Sequence, residues 1–162
     1  MKPRVLKLYA IFVALFLVIP YSFAETIEDE MASAYARFIR DLVGTTHISK
    51  EGTICVFGSD EISKIVLHQS SKYIDLDLDP GKYTSCKAIY VAQGMEKVLR
   101  SEVEKFKKEK IMTIAIFDGF IESGGLVEVQ LGRRNFELLL NSKDIKYSGV
   151  RLSALALSLV IN

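Results

Sequence analysis

Apolar positions change their period several times along the chain, and each change marks an element. Over residues 26–43, Ile27, Met31, Ala34, Tyr35, Phe38, Ile39 and Leu42 recur at spacings of three and four, which places them on one face of a helix. Thr26 with Asp29 has the form of a capping box, and Gly44 supplies a stop. Residues 53–58, Thr-Ile-Cys-Val-Phe-Gly, form a short apolar run with β-branched side chains and read as a buried strand. Ser59 then caps a short helix, with Asp60 and Glu61 at its positive end. Residues 73–79 alternate strictly, Ile74, Leu76 and Leu78 against Asp75, Asp77 and Asp79. That is a half-exposed strand near a sheet edge, ended by Pro80-Gly81.

Residues 88–92 and 112–117 are two further apolar runs of strand length. Between them, 95–108 is amphipathic: Met95, Val98, Leu99, Val103 and Phe106 form the apolar stripe. Glu96 with Arg100, and Glu104 with Lys108, are candidate i,i+4 pairs on the wet side. After the turn Ser123-Gly124-Gly125 come two strands, 126–131 and 136–141, joined by Gly132-Arg133-Arg134-Asn135 as a hairpin. Asn141 is placed to cap a short helix that stops at Gly149. Ser153 is placed to cap a last helix with Leu152, Leu155, Ala156 and Leu159 on its apolar side. Strands and helices alternate, and the strands lack polar alternation. The fold class is therefore α/β: a single domain with a mixed, mostly parallel sheet, helices on both faces and a C-terminal antiparallel hairpin.

The first residues have a different purpose. Lys2, Arg4 and Lys7 precede an apolar run from Leu8 to Ile19; Pro20 breaks it, and Ser22-Phe23-Ala24 offers small residues to a signal peptidase. As a helix this run spans about 18 Å, short of a bilayer core. Residues 1–24 thus read as a signal peptide cleaved after Ala24, and 25–162 as one exported, soluble domain. Without the three basic residues of the leader the formal charge falls from +1 to −2, so nothing electrostatic invites nucleic acid.

Export changes how Cys55 and Cys86 are read. An even cysteine count in an oxidising compartment points to one disulfide, the alternative being two buried thiols. Other chemistry is weakly signalled. Asp75, Asp77 and Asp79 open like a calcium loop, but its sixth position is Pro80 and its twelfth Cys86. His47, Cys55, His68 and Cys86 have no compact zinc spacing. Gly58-Ser59-Asp60 lies where phosphate loops sit, yet it has one glycine and an acidic start. Arg133 and Arg134 could clamp an acidic partner or simply form a solvated turn. No nucleophile motif occurs, so the chain reads as a non-enzyme without cofactor or metal. A small-ligand protein is the alternative, with a pocket at the carboxyl ends of the strands and Asp118, Phe120 and Tyr147 as candidate lining.

The C-terminal third carries a more specific pattern. Gly124-Gly125-Leu126 leads into Val127, Val129 and Leu131; Phe136-Glu137-Leu138 and Asn141 follow, then Gly149-Val150-Arg151-Leu152-Ser153. This resembles the YfiR-type periplasmic proteins, which end with a Gly-Gly turn, a hairpin, a Phe…Asn strand end and a Gly-Leu-x-Ile-Ser approach to the last helix. Ile54-Cys55-Val56-Phe57-Gly58 is similar to the family's first strand, Cys86 to the cysteine before its next buried strand, and Phe38 to a Phe of its first helix. The family's Trp-Pro after that helix is replaced by Leu42 to His47, and a second cysteine pair is absent. The resemblance implies a homodimeric α/β regulator without catalytic residues. It would bind the periplasmic part of an inner-membrane diguanylate cyclase, repress cyclic-di-GMP synthesis and biofilm formation, and be sequestered by an OmpA-like outer-membrane lipoprotein. The family-motif residues Gly124, Gly125, Phe136, Asn141, Gly149 and Ser153 are then structural.

Overall fold

A computed structural model describes residues 29–68, 74–75 and 80–161. The proposed signal peptide, Thr26 and Ile27 of the expected first helix, and residues 73 and 76–79 of the alternating segment lie outside the described residues. In chain order the elements are α1 (through 29–45), β1 (His47–Ile48), β2 (Thr53–Phe57), α2 (Glu61–His68), β3 (Ile74–Asp75), a 3-10 helix (Pro80–Ser85), β4 (Cys86–Val91), α3 (Glu96–Lys108), β5 (Met112–Ala115), β6 (Val127–Leu131), β7 (Phe136–Leu140), β8 (Val150–Arg151) and α4 (Ala154–Leu157).

The main sheet has six strands in the order β3-β2-β4-β5-β6-β7. All neighbours are parallel except β6 and β7, which form the antiparallel hairpin with Leu131 opposite Phe136. The alternation of side chains across these strands feeds two cores. On one face Val56, Tyr90, Ile114, Val129 and Leu138 pack against α1, α2 and Ala156 of α4. On the other, Cys55, Cys86, Ile89 and Val91 pack against Leu99, Val103 and Phe106 of α3 and against Phe117 and Phe120. Helices therefore cover both faces, which is why these strands carry no polar alternation. A separate two-stranded sheet pairs β1 with β8, antiparallel.

Several local expectations need correction. The first helix runs through Gly44 to Thr45, because Thr45 Oγ1 donates to Asp41 O (2.8 Å) and Thr46 N to Leu42 O (3.0 Å) and so complete its last turn. Asp60, not Ser59, caps α2: its Oδ1 accepts from Ser63 N (2.7 Å) while Ser63 Oγ accepts from Asp60 N (2.7 Å), a reciprocal capping pair. Val98 lies on the wet side of α3, outside the buried stripe. On that helix Glu102 pairs with Lys105 (2.9 Å) and Glu104 with Lys107 (3.1 Å), both at i,i+3, while Glu96 accepts from Gly94 N. Residues 142–149 form successive turns instead of a helix.

Candidate functional site

The C-terminal third builds one end of the sheet, and the motif residues hold it together. Asn141 links the hairpin to the Gly-Gly turn: its N–H donates to Leu126 O (3.0 Å), its Nδ2 donates to Gly125 O (3.2 Å) and Asp144 Oδ2 (3.1 Å), and its Oδ1 accepts from Asp144 N (3.2 Å). The bond from Asp144 N to Oδ1 is the capping contact expected of Asn141, and Ile145 N donates to Asn141 O (2.9 Å); the chain then passes through turns to Gly149. Phe136 stacks against Tyr35 (4.7 Å between centroids) and Phe38 (4.5 Å), which docks α1 on the hairpin. Gly149 has φ +74°, and a Cβ there would collide with Ser49 Oγ; the glycine lets β8 close on the chain beside β1. Ser153 Oγ accepts from Ala156 N (3.2 Å) and caps α4.

Gly125 approaches Phe120 so closely that a Cβ would collide with the ring, which is itself fully buried. Gly125→Ala is expected to destabilise the domain by about 1–3 kcal/mol through overpacking. Gly44 is the matched control, since it sits in an exposed helical position where an added Cβ would meet nothing within 4 Å. Gly44→Ala is expected to gain about 0.5–1 kcal/mol from helix propensity. Thermal denaturation of the two variants checks both signs.

Beyond β7 the chain returns along the sheet edge. Leu138 N donates to Leu159 O (2.8 Å) and Ile161 N to Leu138 O (2.9 Å), a parallel bridge of Leu138 with Val160. That direction sets α4 toward the hairpin-loop end of β7, where Arg133 and Arg134 are exposed. Three large aliphatics are exposed on these same elements: Leu131 (54%), Leu155 (72%) and Leu157 (55%). The helical spacing places Leu155 on the apolar side of the last helix; in the fold Ala156 points inward and Leu155 outward, because the four-residue helix is too short to bury more than one turn-facing side chain. Leu131, Leu155 and Leu157 are thus exposed apolar side chains on the hairpin and the last helix, and Arg133 and Arg134 are exposed in the hairpin loop.

A second feature lies at the carboxyl ends of the strands. The strand order reverses between β2 and β4, the position where open α/β sheets form a crevice. A cavity of about 430 Å³ lies nearby, lined by Met31, Tyr35, Asp60, Glu61, Gln93 and Ile116 among others. Asp60 Oδ2 accepts from Tyr90 Oη (2.8 Å) and Gln93 N (3.0 Å), so one carboxylate ties β2, α2 and the end of β4 together. Burial, reinforced by Asp60, raises the Tyr90 phenol above its ordinary value, and burial also raises that of Tyr35. The lining expected from the sequence is not assembled. Asp118 is exposed, Phe120 is buried edge-on against Phe117 (5.3 Å), and Tyr147 borders a small cavity beside Ile111, at the amino ends of the strands. Sequence reasoning does not single out Asp60 and Gln93 as crevice residues; the Asp60-x-x-Ser63 spacing is the available signal for the first.

The remaining candidates are dispersed. His47 lies on β1 and His68 at the end of α2, while Cys55 and Cys86 form a disulfide (Cα–Cα 5.7 Å). Gly58 closes β2 at φ +91° and is followed by the Asp60 cap. No helix among the described residues is long and apolar enough to cross a membrane.

Residues 32–160 match the model of the YfiR/HmsC-like family. The chain belongs to that family. The YfiR/HmsC-like family is regulatory and periplasmic in character. Among curated proteins, none matches the chain in sequence. Two solved structures share the fold of this YfiR/HmsC-like chain. One is a conserved domain protein from Vibrio cholerae O1 biovar El Tor (TM-score 0.60, 9% identity, 80% of this chain and 58% of that one). The other is the ABC domain in complex with L-Trp from Streptococcus pneumonia (TM-score 0.52, 13% identity, 78% of this chain and 59% of that one). The chain thus spans less than two thirds of the length of either structure.

Proposed function

We propose that this protein is exported to the periplasm, with cleavage after Ala24, and there binds the periplasmic part of an inner-membrane diguanylate cyclase and holds it inactive. The observation that carries this reading is the family match over residues 32–160. The exposed side chains of Leu131, Leu155 and Leu157 on the hairpin and the last helix support it as candidate contact residues. Repression requires that the contact favour one state of the cyclase, since a ligand shifts an equilibrium only by its differential affinity. Moving the cyclase from 99:1 active to 1:99 takes about 5.5 kcal/mol. A homodimer meeting a dimeric cyclase divides that demand between two equivalent contacts, the second being intramolecular. An OmpA-like outer-membrane lipoprotein competing for the same surface would relieve repression.

Deleting the gene is expected to raise cyclic-di-GMP and biofilm, and the intact gene to restore both. The double variant Leu155→Glu, Leu157→Glu should be exported and folded yet fail to restore them. Unchanged cyclic-di-GMP after deletion, with a candidate cyclase expressed, overturns the repressor reading. It would favour the second reading, a small-ligand-binding protein. That reading is supported by the crevice at Asp60 and Gln93 and by the ligand-bound state of one structural neighbour.

A further inference from the structure

The amino-terminal edge of the sheet carries a polar cavity that the regulator reading does not use. Its volume is about 430 Å³, and its wall includes Thr46, His47, Lys50, Glu51, Gly52 and Lys87. Three independent observations show that this wall is built.

The first is a register shift. Thr53 pairs with Cys86 and Ile54 with Ala88, which leaves Lys87 as the extra residue of a β-bulge. Cys86 and Ala88 feed opposite cores, so a regular strand would give Lys87 an inward position; the bulge instead re-aims it to the cavity wall. The second is Gly52, at φ +150°. A Cβ there would collide with Ser85 O and lie 3.0 Å from Lys87 N, so only glycine allows the 50–52 segment to approach the bulge. The third is Thr46, only 7% exposed, whose Oγ1 is buried without a hydrogen-bond partner among the described residues. Buried hydroxyls are seldom left so, and Thr46 also lines the cavity.

From these observations we infer that the cavity formed by Thr46, His47, Lys50 and Lys87 binds the phosphate group of a small phosphate monoester. Lys87 supplies an ammonium group with no carboxylate partner among the described residues. Lys50 supplies a second, its side chain only 15% exposed and its Nζ held 2.9 Å from Glu109 Oε2. The Thr46 hydroxyl and the His47 ring add further donors, and a phosphate offers acceptor oxygens in several directions. Glu51 repels the anion but accepts hydrogen bonds. It therefore favours a ligand whose ester portion carries hydroxyl groups over the bare ion, and the volume leaves room for one.

Titration calorimetry on the purified exported protein tests this with inorganic phosphate and glycerol 3-phosphate, and with acetate as a carboxylate anion for comparison. Saturable binding of glycerol 3-phosphate is expected, tighter than inorganic phosphate by several-fold, with acetate much weaker. Lys87→Met should weaken glycerol 3-phosphate at least tenfold. Thr46→Val should weaken it about threefold while leaving the melting temperature of the free protein unchanged or higher, because the hydroxyl it removes has no partner among the described residues. If Lys87→Met does not fold, Lys87→Gln with the same readout replaces it. No binding of either phosphate at 10 mM, or equal affinity in wild type and the Lys87 variant, overturns the proposal. So does equal binding of acetate. The cyclic-di-GMP readout is separate, so loss of repression after deletion neither supports nor harms this site.

Discussion

Either cysteine replaced by alanine is expected to lower stability by about 2–5 kcal/mol, and the double replacement by no more than either single one. Cys55 and Cys86 sit on the neighbouring parallel strands β2 and β4, offset along the ladder because Cys86 lies opposite Thr53. Both are fully buried in the α3-side core. Their separation of 31 residues closes α2, β3 and the 3-10 helix into one loop. Constraining a loop of that length in the unfolded chain is worth about 3.7 kcal/mol in the chain-entropy account. The same bond is lost whichever cysteine is removed, so the effects must not add. Urea denaturation of the oxidised wild type, the two single variants and the double variant reads this directly. A double variant twice as destabilised as each single one would show two independent packing losses and no bridge.

The loop gives a reason why the disulfide matters in this fold. β3 lies at the edge of the sheet and, among the described residues, pairs with β2 at Ile74 with Cys55 and Asp75 with Val56. An edge strand has a neighbour on one side alone, and the covalent link fixes β2, to which β3 pairs, to β4 on its other side.

How far the fold is legible in the sequence depends on element length. The strands at Thr53–Phe57 and Met112–Ala115 and the hairpin at Val127–Leu140 have apolar runs or turns long enough to show a period. β1 and β8 have two residues each, too short for any period, and they form only because Gly149 allows residues distant in sequence to meet. Val98 and Leu155 mislead in the same way: a single apolar residue at helical spacing can face solvent as well as core. The disulfide is legible because compartment and cysteine count constrain it independently of geometry. The crevice and the Lys87 bulge are not. A crevice depends on strand order, and a bulge on a one-residue mismatch between strands whose cysteines are 31 residues apart, neither of which leaves a local pattern.

Glu128→Ala is expected to cost about 3 kcal/mol, and Glu128→Gln about 1 kcal/mol. Glu128 stands at an inward position of β6 among apolar neighbours and is 2% exposed. Its Oε2 accepts from Phe120 N (3.0 Å) and, at longer range, from Ile121 N (3.4 Å), and its Oε1 accepts from Gln130 Nε2 (2.7 Å). The carboxylate thereby fastens the turn that carries Phe120 and Gly125 to the sheet. Alanine would strand the buried Phe120 N–H, remove the charge-assisted bonds and leave a cavity. Glutamine keeps one oxygen for Phe120 and Ile121; its NH₂ then faces Gln130, whose half-buried amide can flip to present oxygen. Denaturant titration gives the two costs, and amide exchange at Phe120 and Ile121 should accelerate strongly in the alanine variant alone. Equal costs for alanine and glutamine would mean that the side chain acts by its volume and not as an acceptor.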